Sequence, residues 1–235
     1  MGHFESRAAA SYAESSKDVA QLLAFHEQIG GTGPGRRWYV SVLNRSAIVL
    51  LCAVWEAYCE DLADEALRHI VNSTSDPSKL PQALRKQVAK ELRESPHELS
   101  PWQLASDSWK THLLTRLSDF TRRRNFDWNN PRAANVQSLF ERAGIPNITD
   151  AWSWQRTSGR KASDRLDRLV ALRGDIAHRG DPPIGSRPRR GLRGADVEKV
   201  TVLRAVYLVN TLVEKTDAKV ARELKRMTGV DPWAG

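Results

Sequence analysis

From Ala47 to Trp55 the chain reads AIVLLCAVW, nine consecutive apolar residues. Apolar positions continue beyond this block, so that Ala47, Leu51, Trp55, Tyr58, Leu62 and Ala66 recur at intervals of three and four. That spacing stacks one side chain above the next on a 3.6-residue helix. A stretch that is apolar all round over more than two turns must be enclosed by other elements. The pattern therefore predicts a helix over about 38–72 at the centre of the fold. Nine residues fall short of the about 20 needed to cross a bilayer, so protein rather than lipid is expected around it, with no membrane partner. Glu56 interrupts the block, and Glu60 and Asp61 follow just after it.

The rest of the chain supplies helices to enclose it. Period-two alternation of β-branched residues is absent, and helical periodicity recurs throughout. A polar, alanine-rich helix is predicted over 5–28, ended by Gly30-Gly31-Thr32-Gly33-Pro34-Gly35. After the Asp76-Pro77 break comes a short polar helix over about 81–94. Ser100-Pro101-Trp102-Gln103 reads as the N-cap, first-turn proline and capping-box glutamine of a helix carrying Trp109, Leu113, Leu117 and Phe120. Asn130-Pro131 is expected to cap another, with Val136, Leu139, Phe140 and Ala143 inward and Gly144 as its stop. Residues 145–159 read as irregular, and a helix follows over about 163–177. The stretch 179–194, with three prolines and four glycines, is too rich in breakers for regular structure. The last helix is expected over about 195–227. Its first half, Val200 to Val213, is apolar on most sides and so expected to be buried; Glu214 starts a polar tail, and 228–235 should fray. No internal repeat or interior linker divides the chain. The expected fold is all-α: one domain over 1–235, a bundle of long helices with shorter ones inserted and a core over about 38–213.

Charge says what such a bundle meets. The 235 residues carry a net charge of +8 and a pI of about 9.8, which favours a polyanion, nucleic acid ahead of a membrane surface. The basic residues crowd around the 163–177 helix. Arg156, Arg160, Lys161, Arg165 and Arg168 lead through it, and Arg179, Arg187, Arg189, Arg190 and Arg193 follow, opposed there only by Asp181. Those of the loop, Arg187, Arg189, Arg190 and Arg193, read as phosphate contacts, as a mobile flap or as a solvated loop; with Arg179 they are the candidate RNA-binding residues. Cys52 and Cys59 are seven apart on one predicted helix, about 10 Å of rise, too far for a disulfide between them. That suits a reducing compartment, and the polar first 17 residues lack a signal-peptide apolar stretch, so a cytoplasmic location is expected. His3, His26, His69, His97 and His112 show no metal-ligand spacing, and no P-loop, zinc or serine-nucleophile motif occurs. Neither metal nor cofactor is expected.

One residue breaks the pattern of the 163–177 helix. Leu166, Leu169, Val170, Ile176 and Ala177 form an apolar stripe, and Arg173 stands in the middle of it. A guanidinium there is costly unless it is paired or lines a cleft. His178 lies five positions on. By spacing alone the pair reads first as a helix C-terminus, where the macrodipole favours cations. Glu56 reads either as a surface carboxylate or as a partner orienting Arg173 or His178 across the bundle. Asn44, on the inner stripe of the long helix, reads as a satisfied core polar group. Trp152 and Trp154 read as anchors of their loop, with base stacking as the alternative.

Three blocks together carry a resemblance: AIVLLCAVWEAYCED over 47–61, NVQSLF over 135–140 with Gly144-Ile145, and LDRLVALRGDIAH over 166–178. They resemble the HEPN superfamily, in particular its RiboL-PSP-HEPN branch, over about 38–213. The resemblance implies a helical bundle. For many members it implies a metal-independent endoribonuclease of toxin–antitoxin, phage-defence or RNA-processing systems. The family motif is an arginine, four to six intervening residues and a histidine, and it falls on Arg173 and His178. The resemblance further implies a homodimer whose two motifs face one cleft where RNA is cut, and, for a toxin, a cognate antitoxin. The residue after the motif arginine is usually polar, most often asparagine. Here it is Gly174, with Asp175 next and able to take the polar role. Members that have lost activity and only bind imply the alternative: a non-catalytic module for nucleic acid, nucleotide or a partner protein.

The residue chemistry suits metal-free RNA cleavage, in which the 2′-hydroxyl attacks its own phosphate. Such a step needs a base, an acid for the leaving 5′-oxygen and a cation for the phosphorane. Histidine titrates at about pH 6.5 and serves as either base or acid, help worth roughly 10²–10⁴-fold. Arginine stays charged and grips phosphate oxygens with two N–H groups. Two copies of His178 and two of Arg173 would fill all these roles. On a regular helix, positions five apart point about 140° from each other. Either the helix loosens before Gly180, or each residue serves the cleft from a different side of the dimer axis.

Overall fold

The apolar block is the axis of the bundle. In a computed structural model that describes residues 5–30, 41–122, 130–178 and 197–233, it lies within a helix over Ser41–Ser73 that buries 15 side chains, Ala47, Leu51, Trp55, Tyr58, Leu62 and Ala66 among them. The described residues form seven α-helices and no strand: α1 (Arg7–Gly30), α2 (Ser41–Ser73), α3 (Gln82–Arg93), α4 (Ser108–Arg122), α5 (Ala133–Arg142), α6 (Gly159–His178) and α7 (Lys199–Thr228). α2 touches α1, α4, α5, α6 and α7. It also holds an 18-residue window of mean hydropathy 1.4, long and apolar enough by composition to cross a membrane. The nine-residue count falls short of this because Ala57, Tyr58, Cys59, Leu62 and Ala63 carry the apolar character past Glu56. Here the other helices bury half of that window, while Ala53 and Ala57 stay exposed and Val49 and Leu50 half-buried.

α1 is tied to the bundle by side chains far away in sequence. Glu65 of α2 accepts from the backbone N–H groups of Arg7 and Ala8, both at 3.2 Å, two of the donors a helix start leaves unsatisfied. The Ser6 hydroxyl accepts from Ala9 N–H at 3.0 Å and itself donates to the buried Asp217 carboxylate of α7. The Tyr12 hydroxyl donates to Asn210 at 2.6 Å.

Several element starts differ from the sequence expectation. Ser100–Leu104 is a separate 3₁₀ turn and does not begin α4. The Ser100 hydroxyl pairs with Ser95 at 2.6 Å, and Ser106 at φ 53° bends the chain before α4 starts at Ser108. Asn130-Pro131 does not cap α5. The residue before α5 is Arg132, which makes no side-chain cap bond. The first-turn N–H of Ala133 donates instead to the Asp167 carboxylate of α6 at 2.9 Å. Gly144 does stop α5: it sits at φ +88°, where only glycine is comfortable, and Ile145 N–H closes back on Phe140 at 2.8 Å. α6 starts at Gly159 rather than about 163, against the 3₁₀ turn Ile148–Ala151.

The burial expected of α7 is the largest correction. Val202, Ala205, Leu208, Val209, Leu212 and Val213 are buried, but Val200, Leu203 and Tyr207 are 42, 48 and 62% exposed. Burial then continues into the supposed polar tail through Thr216, Asp217, Val220 and Leu224. One face of α7 packs on the bundle along its whole length, and no described element covers the other. Gly229, at φ +74°, closes the helix. Trp233 then packs, half-buried, against the core, and its backbone N–H donates to the Asp231 carboxylate at 3.3 Å.

Candidate functional site

α6 carries the motif, and its two ends are built differently. The start is fixed by close approach: a Cβ at Gly159 would lie 2.8 Å from the Thr149 carbonyl oxygen. Just before it, Trp154 and Thr157 exchange backbone hydrogen bonds at 3.0 and 2.8 Å around Arg156, which has φ 61°. Trp152 is fully buried, packs edge-on to Trp55 at 6.1 Å and donates to the Thr216 hydroxyl at 2.8 Å. Its role is that of an anchor. Trp154 is only half-buried and lines a groove between α6 and α7.

Toward its C-terminal end α6 leaves the core. Leu166, Leu169 and Val170 are buried, Arg173 and Ile176 half-buried, and Ala177 exposed. Arg173 therefore stands where the apolar stripe runs off the bundle, not in its interior. A half-buried position costs a guanidinium less than an enclosed one, because it is not fully removed from water. Arg173 lies close to Cys52 of α2. Burial pushes the Cys52 thiol up to about 12, while the Arg173 charge pulls it down and the Glu56 charge pushes it up. Arg173 of α6 and Glu56 of α2 thus act electrostatically on the same buried thiol. Glu56 is half-buried, on the turn of α2 that carries Trp55 and Tyr58. Those aromatic neighbours are core residues: their rings stack at 5.6 Å, Trp55 donates to Pro131 O at 3.3 Å and Tyr58 to Val213 O at 3.0 Å.

α6 is helical through His178, its last residue, and the His178 side chain lies outside the described residues. The backbone is therefore not loosened between positions 173 and 178, and the offset of about 140° between them stands. Asp175 is half-buried on the same helix. At Gly174 a Cβ would meet nothing within 4 Å, so no contact there demands glycine. Arg179, Arg187, Arg189, Arg190 and Arg193 lie outside the described residues. Asn44 is buried, as read from the sequence, but only half satisfied. Its amide donates to Val197 O at 2.7 Å, while its carbonyl oxygen has no hydrogen-bond partner among the described residues. Cys52 and Cys59 are free and buried. No group of three or more His, Cys, Asp or Glu able to hold a metal occurs among the described residues.

Sequence reasoning missed the exposed face formed by Val200, Leu203 and Tyr207. The signal was present, since these residues stand opposite the Val202–Ala205–Val209 stripe. Helical spacing cannot say which of two apolar faces the fold will cover.

A strand-free bundle around one apolar axis, with an Arg–His motif closing a basic helix, defines an all-α domain of HEPN type. The profile of the RiboL-PSP-HEPN family matches residues 11–221, nearly the whole chain, and the protein belongs to that family. HEPN domains serve as RNases or as nucleotide-binding modules. No curated protein and no solved structure matches the chain.

Proposed function

We propose that this protein is a metal-independent endoribonuclease that cuts RNA at a cleft shared by two copies, in a toxin or phage-defence role. The observation that carries the reading is the state of α6 at its end. Arg173 is half-buried and acts electrostatically, as does Glu56, on the buried Cys52 thiol, and the helix stays regular to His178. Positions 173 and 178 leave that helix in different directions, so one chain aims them poorly at a single phosphate. A second copy supplies the missing partner of each. In this arrangement one His178 takes the 2′-hydroxyl proton and the other protonates the leaving 5′-oxygen. The two Arg173 side chains hold the charge that builds on the phosphorane oxygens. Glu56 acts as a positioning residue for Arg173, Asp175 supplies the polar group that position 174 lacks, and Arg179, Arg187, Arg189, Arg190 and Arg193 bind the RNA backbone.

The test is RNA cleavage in the presence of a chelator by the wild type and by His178→Ala and Arg173→Ala. Each substitution is expected to abolish cleavage and to relieve growth inhibition on expression. Cleavage retained by cleanly purified His178→Ala protein refutes the reading. A second reading, a module that binds RNA or nucleotide without cutting it, is favoured by Gly174 in place of the usual polar residue. RNA affinity without turnover in the wild type identifies it.

A further inference from the structure

The groove between α6 and α7 has a volume of about 810 Å³ and is lined by side chains of two sharply different kinds. Its floor is aliphatic: Leu169 and Leu172 from α6, Leu203 and Leu208 from α7. Among the described residues its charged groups are three arginines, Arg165, Arg168 and Arg204, with no carboxylate in the lining. Among the described residues these arginines meet only neutral acceptors. Arg165 reaches the Thr157 hydroxyl at 3.3 Å, and Arg168 the Asp164 carbonyl at 3.0 Å. Tyr207, the aromatic residue of α7, is 62% exposed and also lines the groove.

From this the geometry points to a docking site for an acidic amphipathic helix of a partner protein. Shape selects a helix. A concave surface takes a convex partner, and a helix laid in a groove places apolar anchors at i, i+3, i+4 and i+7 against such a floor. Charge selects an acidic one, because carboxylates flanking the anchors would pair with three cations that meet no carboxylate among the described residues. The same facts count against a second copy in this groove. Across a two-fold axis the same patch faces itself, so concave would meet concave and arginine would meet arginine. RNA could meet the three arginines and the two aromatic side chains, Trp154 and Tyr207, but the aliphatic floor of Leu169, Leu172, Leu203 and Leu208 is matched by the apolar anchors of a helix and not by phosphate or ribose. The site is independent of the cleavage reading, although it shares α6 with Arg173.

The probe is a fluorescein-labelled synthetic helix of about four turns, or roughly 14 residues. It carries leucines at i, i+3, i+7 and i+11 between glutamates, and its binding to the full-length protein is followed by anisotropy. One control peptide replaces its leucines with serine and another its glutamates with lysine. The glutamate–leucine peptide is expected to bind at least about tenfold more tightly than either control. Affinity should fall as salt is raised from about 0.05 to 0.5 M. Leu203→Glu, at a half-exposed position, should weaken binding roughly tenfold or more. Arg168→Glu combined with Arg204→Glu should do the same without touching the floor. Equal binding of the controls, absence of binding, or indifference to both variants overturns the proposal. So does a labelled oligouridine that occupies the groove in the peptide's place and is lost with Leu203→Glu. A wild-type dimer that Leu203→Glu converts to monomer would show that a second copy covers this face, and also overturns it.

Discussion

Gly174 offers the sharpest test of how the motif helix is built. It lies inside α6, four residues before the last helical position, yet glycine is the poorest helix former after proline. In the unfolded chain it has more conformations to lose, which makes glycine in a helix interior about 0.5–1 kcal/mol less favourable than alanine. Packing adds nothing to this at position 174, because a Cβ there meets no atom within 4 Å. Gly174→Ala should therefore stabilise the protein by about 0.5–1 kcal/mol, with the lower end favoured by closeness to the helix terminus. For a chain of this size that is a rise in Tm of roughly 1–4 °C, measurable by far-UV circular dichroism or calorimetry. Gly174→Asn should gain less, since asparagine is a weaker helix former than alanine. A fall in Tm for Gly174→Ala would refute the reasoning, because the space beside Gly174 would then be filled in solution by another chain or by residues outside the described structure. The same pair of variants also probes function. If the site lacks only a polar group, Gly174→Asn raises RNA cleavage above wild type. If glycine is there to let RNA approach, both variants lose cleavage while gaining stability.

Two further outcomes follow from contacts around α6 and α7. Gly159→Ala forces a Cβ against the Thr149 carbonyl and should destabilise the fold by about 1–3 kcal/mol, seen as a lowered denaturant midpoint; an unchanged midpoint would mean that the 148–151 turn does not press on α6. Asp217 is buried against Ser6, and burial, the largest influence, holds its carboxyl above the ordinary value of 3.8, while the Ser6 hydrogen bond pulls it down. With the folded value raised, the native state binds more protons than the unfolded one, so stability falls as pH rises from about 3.8 through the folded value. Asp217→Asn keeps an acceptor for Ser6 and removes that loss. The variant should match wild type in strong acid and exceed it at neutral pH, by urea unfolding across the range; a variant less stable at neutral pH would show that the charge itself is used.

The candidate site was legible in part for a reason that can be stated residue by residue. Arg173 and His178 sit five apart on one periodic segment, so their presence on a single helix needed no tertiary information. How they stand to each other, to Glu56 and to Cys52 needed the packing of α2 against α6, which brings residues more than a hundred positions apart together. The exposure of Arg173 was also not local. It depends on where α6 runs off the core, and an apolar stripe looks the same on either side of that point.

The same division runs through the fold. The chain's periodicity by itself determined that the described residues would form a strand-free bundle around the 47–55 block, because so apolar a helix has to be packed against others, and it set most helices to within about four residues, whereas α4, expected from Ser100, starts at Ser108. It determined that Gly144 would end α5, since a left-handed residue is a local demand. Tertiary structure decided which apolar faces would be covered. α7 has two, and only packing against α2 chose Val202 and Val209 for the interior and left Leu203 and Tyr207 outside. It also decided the partners of polar groups: Asp167 capping α5, Glu65 capping α1 and Ser6 meeting Asp217, over separations of 34, 57 and 211 residues. A hydrogen bond between distant segments leaves no mark on either sequence window, whereas a helix writes its period into every turn.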